Sequence, residues 1–246
     1  MRLGIISDVH ANELALEASL AALERLDVGR LVILGDVVGY GPDPETVTQR
    51  VAGLVSQGAI CLMGNHDAAA IGAKSSMNDT AAAAIAWTKP RLSDASRHFL
   101  SGLPMTATID DVLLVHADAS HPADWIYVLD ATSAMQSLLA VKERVTICGH
   151  VHRPQVYCLT ATAKVIAHTP VTNTVVPLSP QRQWLAVAGA VGQPRDGNPA
   201  ASFLTYDTAA RELTFHRATY DYEATAQRVR DAGLPERLAD RLISGT

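Results

Sequence analysis

Seven side chains that serve well as ligands for divalent metals fall at the ends of short apolar runs: Asp8, His10, Asp36, Asn65, His116, His150 and His152. His66 and Asp67 follow Asn65 directly, so five of the nine histidines lie in this set. Imidazole, carboxylate and amide oxygen without a thiolate suit borderline divalent ions such as Mn, Fe, Co, Ni or Zn. Seven donors are too many for one ion and about right for two that share a carboxylate. Two ions about 3.5–4 Å apart can activate a water and clamp the oxygens of an in-line phosphoryl displacement.

The elements that would carry these residues can be read from the hydrophobic pattern. A strand over 2–7 ends at Asp8, and Asn12 caps a helix running to about residue 26, with Leu14, Leu16, Leu20 and Leu23 on its apolar face. A second strand over 31–34 ends at Gly35-Asp36. Pro42 and Pro44 open a helix toward residue 56, and a third strand over 59–63 leads into Asn65. Strand, helix, strand, helix, strand predicts right-handed parallel crossovers, whose ligands bind beyond the carboxyl ends of the strands. On extended chain, residues i and i+2 share a side, which would bring Asp8 with His10, and His150 with His152, to a common centre. Residues 79 to about 100 read as helical, 106–109 and 112–116 as a hairpin about Asp110-Asp111, and 145–148 as a strand before His150. Further strands are expected at 155–159, 163–167, 184–188, 202–206 and 212–217, with helices after Asp221 and Pro235.

At 246 residues and 48% hydrophobic composition the chain can bury one substantial core, and a single domain over 1–246 is the economical reading. A net charge of −5 excludes a broadly basic surface, so nucleic acid is not the expected partner. No apolar window is long enough for a membrane span, and the first residues lack the apolar core of a signal peptide. Cys61, Cys148 and Cys158 match no zinc or redox spacing. Cys61 and Cys148 lie in apolar runs as buried thiols, and a cytoplasmic location fits them.

The blocks Asp8-x-His10, Gly35-Asp36, Gly64-Asn65-His66-Asp67, His116 and Gly149-His150-x-His152 together resemble the metal-binding signature of calcineurin-like metallophosphoesterases. Residues 35–44, 192–197 and the 220–235 ending are similar to one bacterial branch, of predicted phosphodiesterases and relatives of diadenosine tetraphosphatases. The resemblance implies a four-layer α/β/β/α sandwich, two mixed sheets flanked by helices. It implies two divalent ions, one held by Asp8, His10, Asp36 and His152, the other by Asp36, Asn65, His116 and His150. It also implies that His66 gives a proton to the leaving group and that Asp67 orients it. The substrate would be a small organic phosphate ester, a phosphodiester first, attacked by a hydroxide that the two ions generate. A dinucleoside polyphosphate, a phosphomonoester, or a non-catalytic scaffold of the same fold are the alternatives, and self-association is left open.

Asn12, Tyr40 and Arg195 are the candidate substrate contacts. Tyr40 and Trp125 either stack on an aromatic group or pack, and Arg195 pairs either with phosphate or with Asp196. The glycines of 35–41 match no phosphate-cradling loop and read as turn formers beside Asp36. His98, His168 and His216 belong to no motif and are expected to be hydrogen-bonded core residues, with His121 in a solvated loop.

Overall fold

A computed structural model describes residues 1–73 and 76–246. Strands β1 (Arg2–Ile6), β2 (Arg30–Ile33) and β3 (Ile60–Cys61) run parallel, separated by helices α1 (Glu13–Glu24) and α2 (Pro44–Ser56). Short helix α3 (Asn65–Ala70) follows, then α4 (Asp79–Thr88) and α5 (Asp94–Ser101). The hairpin β4 (Thr106–Ile109) and β5 (Val112–Val115) comes next, then α6 (Ala131–Leu139), β6 (Val145–Cys148), β7 (Gln155–Leu159) and β8 (Val165–His168). The chain continues through β9 (Val175–Pro177), β10 (Gln183–Val187), β11 (Ala201–Asp207) and β12 (Glu212–Ala218), then α7 (Tyr222–Asp231) and α8 (Glu236–Ser244).

These strands form two mixed six-stranded sheets, ordered β3-β2-β1-β11-β12-β9 and β4-β5-β6-β10-β7-β8. Both inner sheet faces are apolar. Leu3 and Ile5 of β1 and Leu204 and Tyr206 of β11 meet Val112 and Leu114 of β5 and Val145 and Ile147 of β6 in one buried cluster. The alternate residues face outward. Ile6 and Phe203 pack with Leu16 and Leu23 of α1, while Val115, Cys148 and Val187 pack with Ala134 and Leu138 of α6. Strands buried on both faces read as continuous apolar runs, as β5 does with Val-Leu-Leu-Val. The result is the expected helix, sheet, sheet, helix sandwich, and no described helix is long and apolar enough to cross a membrane.

Several local expectations need correction. The third strand pairs only over Ile60–Cys61. The helical stretch from 79 is two helices, because Pro90 ends the first and Ser93 caps the second by accepting from the Ser96 N–H. Helix α6 was not foreseen. It opens on a capping box in which Asp130 and Ser133 satisfy each other's backbone N–H groups. Strand β9 adds an unforeseen edge to the first sheet.

Candidate metal centre and active site

The carboxyl ends of β1, β2 and β3 in one sheet, and of β5 and β6 in the other, meet at one edge of the sandwich, and the singled-out residues lie just beyond them. They do not reach each other by strand alternation. Asp8, His10, Asp36, His150 and His152 all have φ between 49° and 65°, as do Ala11, Tyr40 and Trp125. These are eight of the thirteen left-handed non-glycine residues among the described residues. The conformation is uncommon outside glycine, and its clustering marks a place where surrounding structure holds the backbone. The Asp8 and His10 N–H groups donate to the Gly35 and Asp36 carbonyls at 3.1 and 2.9 Å, so the two left-handed turns support each other. Gly149 must be glycine, since a Cβ there would collide with Ser7 Oγ and Asp8 Oδ2. Asn65, His66 and Asp67 sit in the first turn of α3 rather than on a strand.

The side chains form two connected groups. In one, Asp8 Oδ1 lies 3.1 Å from His152 Nε2 and 3.8 Å from His10 Nε2, and the two imidazole nitrogens are 3.1 Å apart. In the other, Asp36 clusters with His116 and His150, and Asn65 Oδ1 is 3.3 Å from His116 Nε2. Asp36 Oδ2 belongs to both, 3.6 Å from His10 Nε2 and 3.4 Å from His116 Nε2. His150 and His152 are thus divided between the groups instead of sharing one.

Hydrogen bonds on the far side of each ring fix the tautomers. Nδ1 of His10, His116 and His152 faces the carbonyls of Val38, Leu34 and Gln193 at 3.1, 2.9 and 2.7 Å. Nε2 of His150 faces the Trp125 carbonyl at 3.0 Å. A carbonyl only accepts, so these nitrogens carry the hydrogens, and the other nitrogens of His10, His150 and His152 present lone pairs to the centre. The buried Asp8 Oδ1 and Asp36 Oδ2 have no hydrogen-bond partner. Unpartnered buried carboxylate oxygens beside converging lone pairs are costly unless a cation sits among them. The residues therefore fit divalent metal.

Protonation agrees with this. Burial pushes His10 and His152 down, and His150 down to about 3, toward the neutral form a ligand must have. Burial would raise Asp8 and Asp36, but the facing imidazoles, His152 for Asp8 and His116 for Asp36, outweigh it and hold both below the usual carboxylate range. His116 is the exception. Burial lowers it, yet Asp36 and the other carboxylates prevail and raise it to about 9. A cation held there would have to displace that proton.

His66 is buried, its backbone N–H donating to Asp36 Oδ1 at 2.8 Å and its Nδ1 unpartnered. Its ring lies 4.4 Å from that of Tyr40 and 4.9 Å from that of His10. Burial lowers it to about 4 against the pull of Asp36, so in the metal-free chain it is neutral at pH 7. Asp67 does not orient it through a hydrogen bond. Its carboxylate accepts from the Gly64 and Val38 N–H groups at 3.0 and 3.1 Å, clamping the start of α3 to the loop after β2. Burial and the nearby Asp36 raise Asp67 to about 7.

The three expected substrate contacts fare differently. Asn12 is committed to the fold. Its Oδ1 caps α1 through the Ala15 N–H, and its amide donates to the Gly192 carbonyl and Tyr220 Oη at 2.9 and 3.1 Å. Nothing on it is left for substrate. Tyr40 is 7% exposed and packs between His10 and His66, at 4.6 and 4.4 Å, so its ring is a wall of the site. The Arg195 N–H donates to the His152 carbonyl at 3.1 Å, its guanidinium lies 5.7 Å from the Tyr40 ring, and its buried Nε has no partner. Asp196 pairs with Arg217 instead, and Arg195 Nη2 donates to Gln193 Oε1 at 3.2 Å. His216 is hydrogen-bonded to Thr205 and Asn173, while His98 and His168 are exposed rather than core residues, as is His121 in its loop. All three cysteines are buried and free.

Tyr127 escaped the sequence reading. Its ring stacks on His150 at 3.9 Å and 20°. The available signal was an aromatic residue in a loop soon after His116.

A family model for the calcineurin-like phosphoesterase superfamily domain matches residues 1–211. A metallophosphoesterase from Sphaerobacter thermophilus is 38% identical, with full coverage of both chains and a TM-score of 0.89. A hypothetical protein from Pyrococcus horikoshii OT3 shares the fold at 18% identity and a TM-score of 0.83, covering 100% of this chain and 98% of its own. An uncharacterized protein of Methanocaldococcus jannaschii is 29% identical over 99% of this chain and 98% of its own. The chain belongs to the calcineurin-like phosphoesterase superfamily and is a metal-dependent hydrolase of phosphate esters.

Proposed function

We propose that this phosphoesterase works with two divalent ions bridged by Asp36, on a small organic phosphate and by preference a diester. The observation that carries the reading is Asp36 Oδ2, unpartnered and 3.6 and 3.4 Å from imidazole nitrogens of the two groups. Asp8, His10, Asp36 and His152 would hold one ion, and Asp36, Asn65, His116 and His150 the other. Such a pair supplies an activated water and neutralises phosphoryl charge. Mn, Fe, Co, Ni and Zn all suit the donors.

The chain's own residues have separate tasks. Arg195, with its free Nε, orients the phosphate on the Tyr40 side. Tyr40 narrows that side and excludes water around His66. His66 delivers a proton to the departing oxygen. Because burial keeps the imidazole neutral, the negative charge of bound phosphate has to raise its proton affinity before it can do so. The unpartnered Nδ1 of His66 speaks against a non-catalytic scaffold, in which a buried ring nitrogen would more naturally be satisfied. We place the enzyme in the cytoplasm.

Metal-reconstituted protein should be offered aryl mono- and diesters, cyclic nucleotides and dinucleoside polyphosphates, with the rates ranked. Fastest turnover of diesters supports the reading. Faster turnover of dinucleoside polyphosphates or of monoesters would replace the substrate class. Failure on every ester at full metal occupancy would remove the catalytic reading.

A further inference from the structure

A cavity of about 350 Å³ opens against Asn65 and His150 of the centre, lined also by Ala123, Asp124, Trp125 and Tyr127 among others. A larger cavity of about 530 Å³ lies between α1 and α2 and holds none of the clustered residues. The smaller one adjoins two members of the centre.

Its aromatic wall is built and held. Asp118 Oδ2 accepts from the Ser120 and His121 N–H groups at 3.0 and 3.2 Å, and the Asp118 N–H donates to the Ile126 carbonyl at 3.1 Å. The Trp125 carbonyl grips His150, and the Trp125 ring meets His116 edge-on at 5.7 Å. Tyr127 stacks on His150 yet is 47% exposed, so its ring has surface left for a second partner. Exposed aromatic surface beside a preformed polar centre is what a small-molecule site presents. The character of the two flanks is opposite. Arg195 and Tyr40 favour an anion on the His10 side, whereas Asp124 disfavours a second anion in the cavity and Tyr127 offers a flat apolar face.

Resting on the phosphoesterase reading above, we propose that this cavity receives the organic group of the substrate, and that the group is a planar uncharged ring, aryl or nucleobase, stacked on Tyr127. The phosphate then lies over the clustered residues with Arg195 on its far side. The ester is thereby oriented with its ring toward His150.

Phenylphosphonate and methylphosphonate test this, since they share a head group, differ by the ring and cannot be hydrolysed. Titration calorimetry on metal-reconstituted protein should show phenylphosphonate binding about tenfold more tightly, the scale of one stacking contact. Tyr127→Ala should bring the ratio close to one, and Tyr127→Phe should keep it. Tyr127→Ala also uncovers His150, so Ala123→Trp serves as the second variant, filling the cavity from another wall. It should abolish the preference at unchanged metal content. Equal affinities in the unaltered protein, or a preference surviving both Tyr127→Ala and Ala123→Trp, would overturn the proposal while leaving the phosphoesterase reading in place. Binding of neither phosphonate would overturn both.

Discussion

The backbone N–H of His150 donates to Asp8 Oδ2 at 2.9 Å, joining a turn of the second sheet to a turn of the first. The other oxygen of the same carboxylate points at His10 and His152 and has no partner. One side chain thus locks the sandwich edge and faces the centre. In the other direction, His116 on the second sheet reaches the Leu34 carbonyl after β2 on the first, at 2.9 Å. The centre is stitched across the two sheets by its own candidate ligands.

Asp8→Asn separates these duties. The Asn oxygen can still accept from the His150 N–H, and its amide would then donate toward the His10 and His152 lone pairs. We expect the metal-free variant to melt no lower than metal-free wild type, because an unpartnered buried oxygen is replaced by a satisfied donor. It should hold about one ion fewer per chain and gain less from added Mn²⁺. Thermal melts with and without metal, alongside elemental analysis, check this. A metal-free variant melting well below wild type would show that the carboxylate charge itself holds the edge.

Asp36→Asn should empty both positions. Its Oδ2 stands between the two groups while its Oδ1 accepts from the His66 N–H at 2.8 Å, so no other residue can take over the bridge. Metal content and turnover should fall together. Retention of one ion with full turnover would rule out the shared carboxylate.

Chelation should abolish hydrolysis and leave the fold intact. The cluster that joins the sheets, including Leu3, Ile5, Leu114 and Tyr206, contains none of the candidate ligands. A core of that kind does not depend on metal as a zinc finger does. Metal at a hundred times its Kd should still add about 2.7 kcal/mol of stability by mass action. Far-UV circular dichroism before and after chelation decides the point, and loss of secondary structure would contradict it.

The residue types of the centre were legible in the sequence because each follows an apolar strand, and strand ends survive errors of a residue or two. The route by which they meet was not. Alternation along extended chain would have sent His150 and His152 to one place, whereas left-handed turns at both divide them between the groups. Asp and His adopt that conformation without the glycine that would announce it. Asn12 misled for another reason. Its partners at Ala15, Gly192 and Tyr220 span most of the chain, so only the fold reveals that its polar groups are spent. Tyr127 was missed because its stacking on His150 joins residues with no local pattern between them.

His66→Gln should expose the proton donor. Neither group of candidate ligands depends on His66, since Asp8 with His10 and His152, and Asp36 with His116 and His150, each assemble without it. His66 does also cluster with His10 and Asp36, so metal content has to be measured alongside the rates. With metal retained, the variant should lose proton donation to the departing oxygen, roughly 10²–10⁴ in rate. The loss should grow with the basicity of the leaving group. A p-nitrophenolate departs readily as an anion and needs little help, whereas an alkoxide or ribose oxygen needs a proton. Single-turnover rates across a series of leaving groups should therefore depend more steeply on basicity in the variant than in wild type. Equal slopes would reassign His66 to a hydrogen bond with the phosphate. Loss of metal would instead make His66 a ligand, and Asp36, His10 and His66 would then form a third coordinating face.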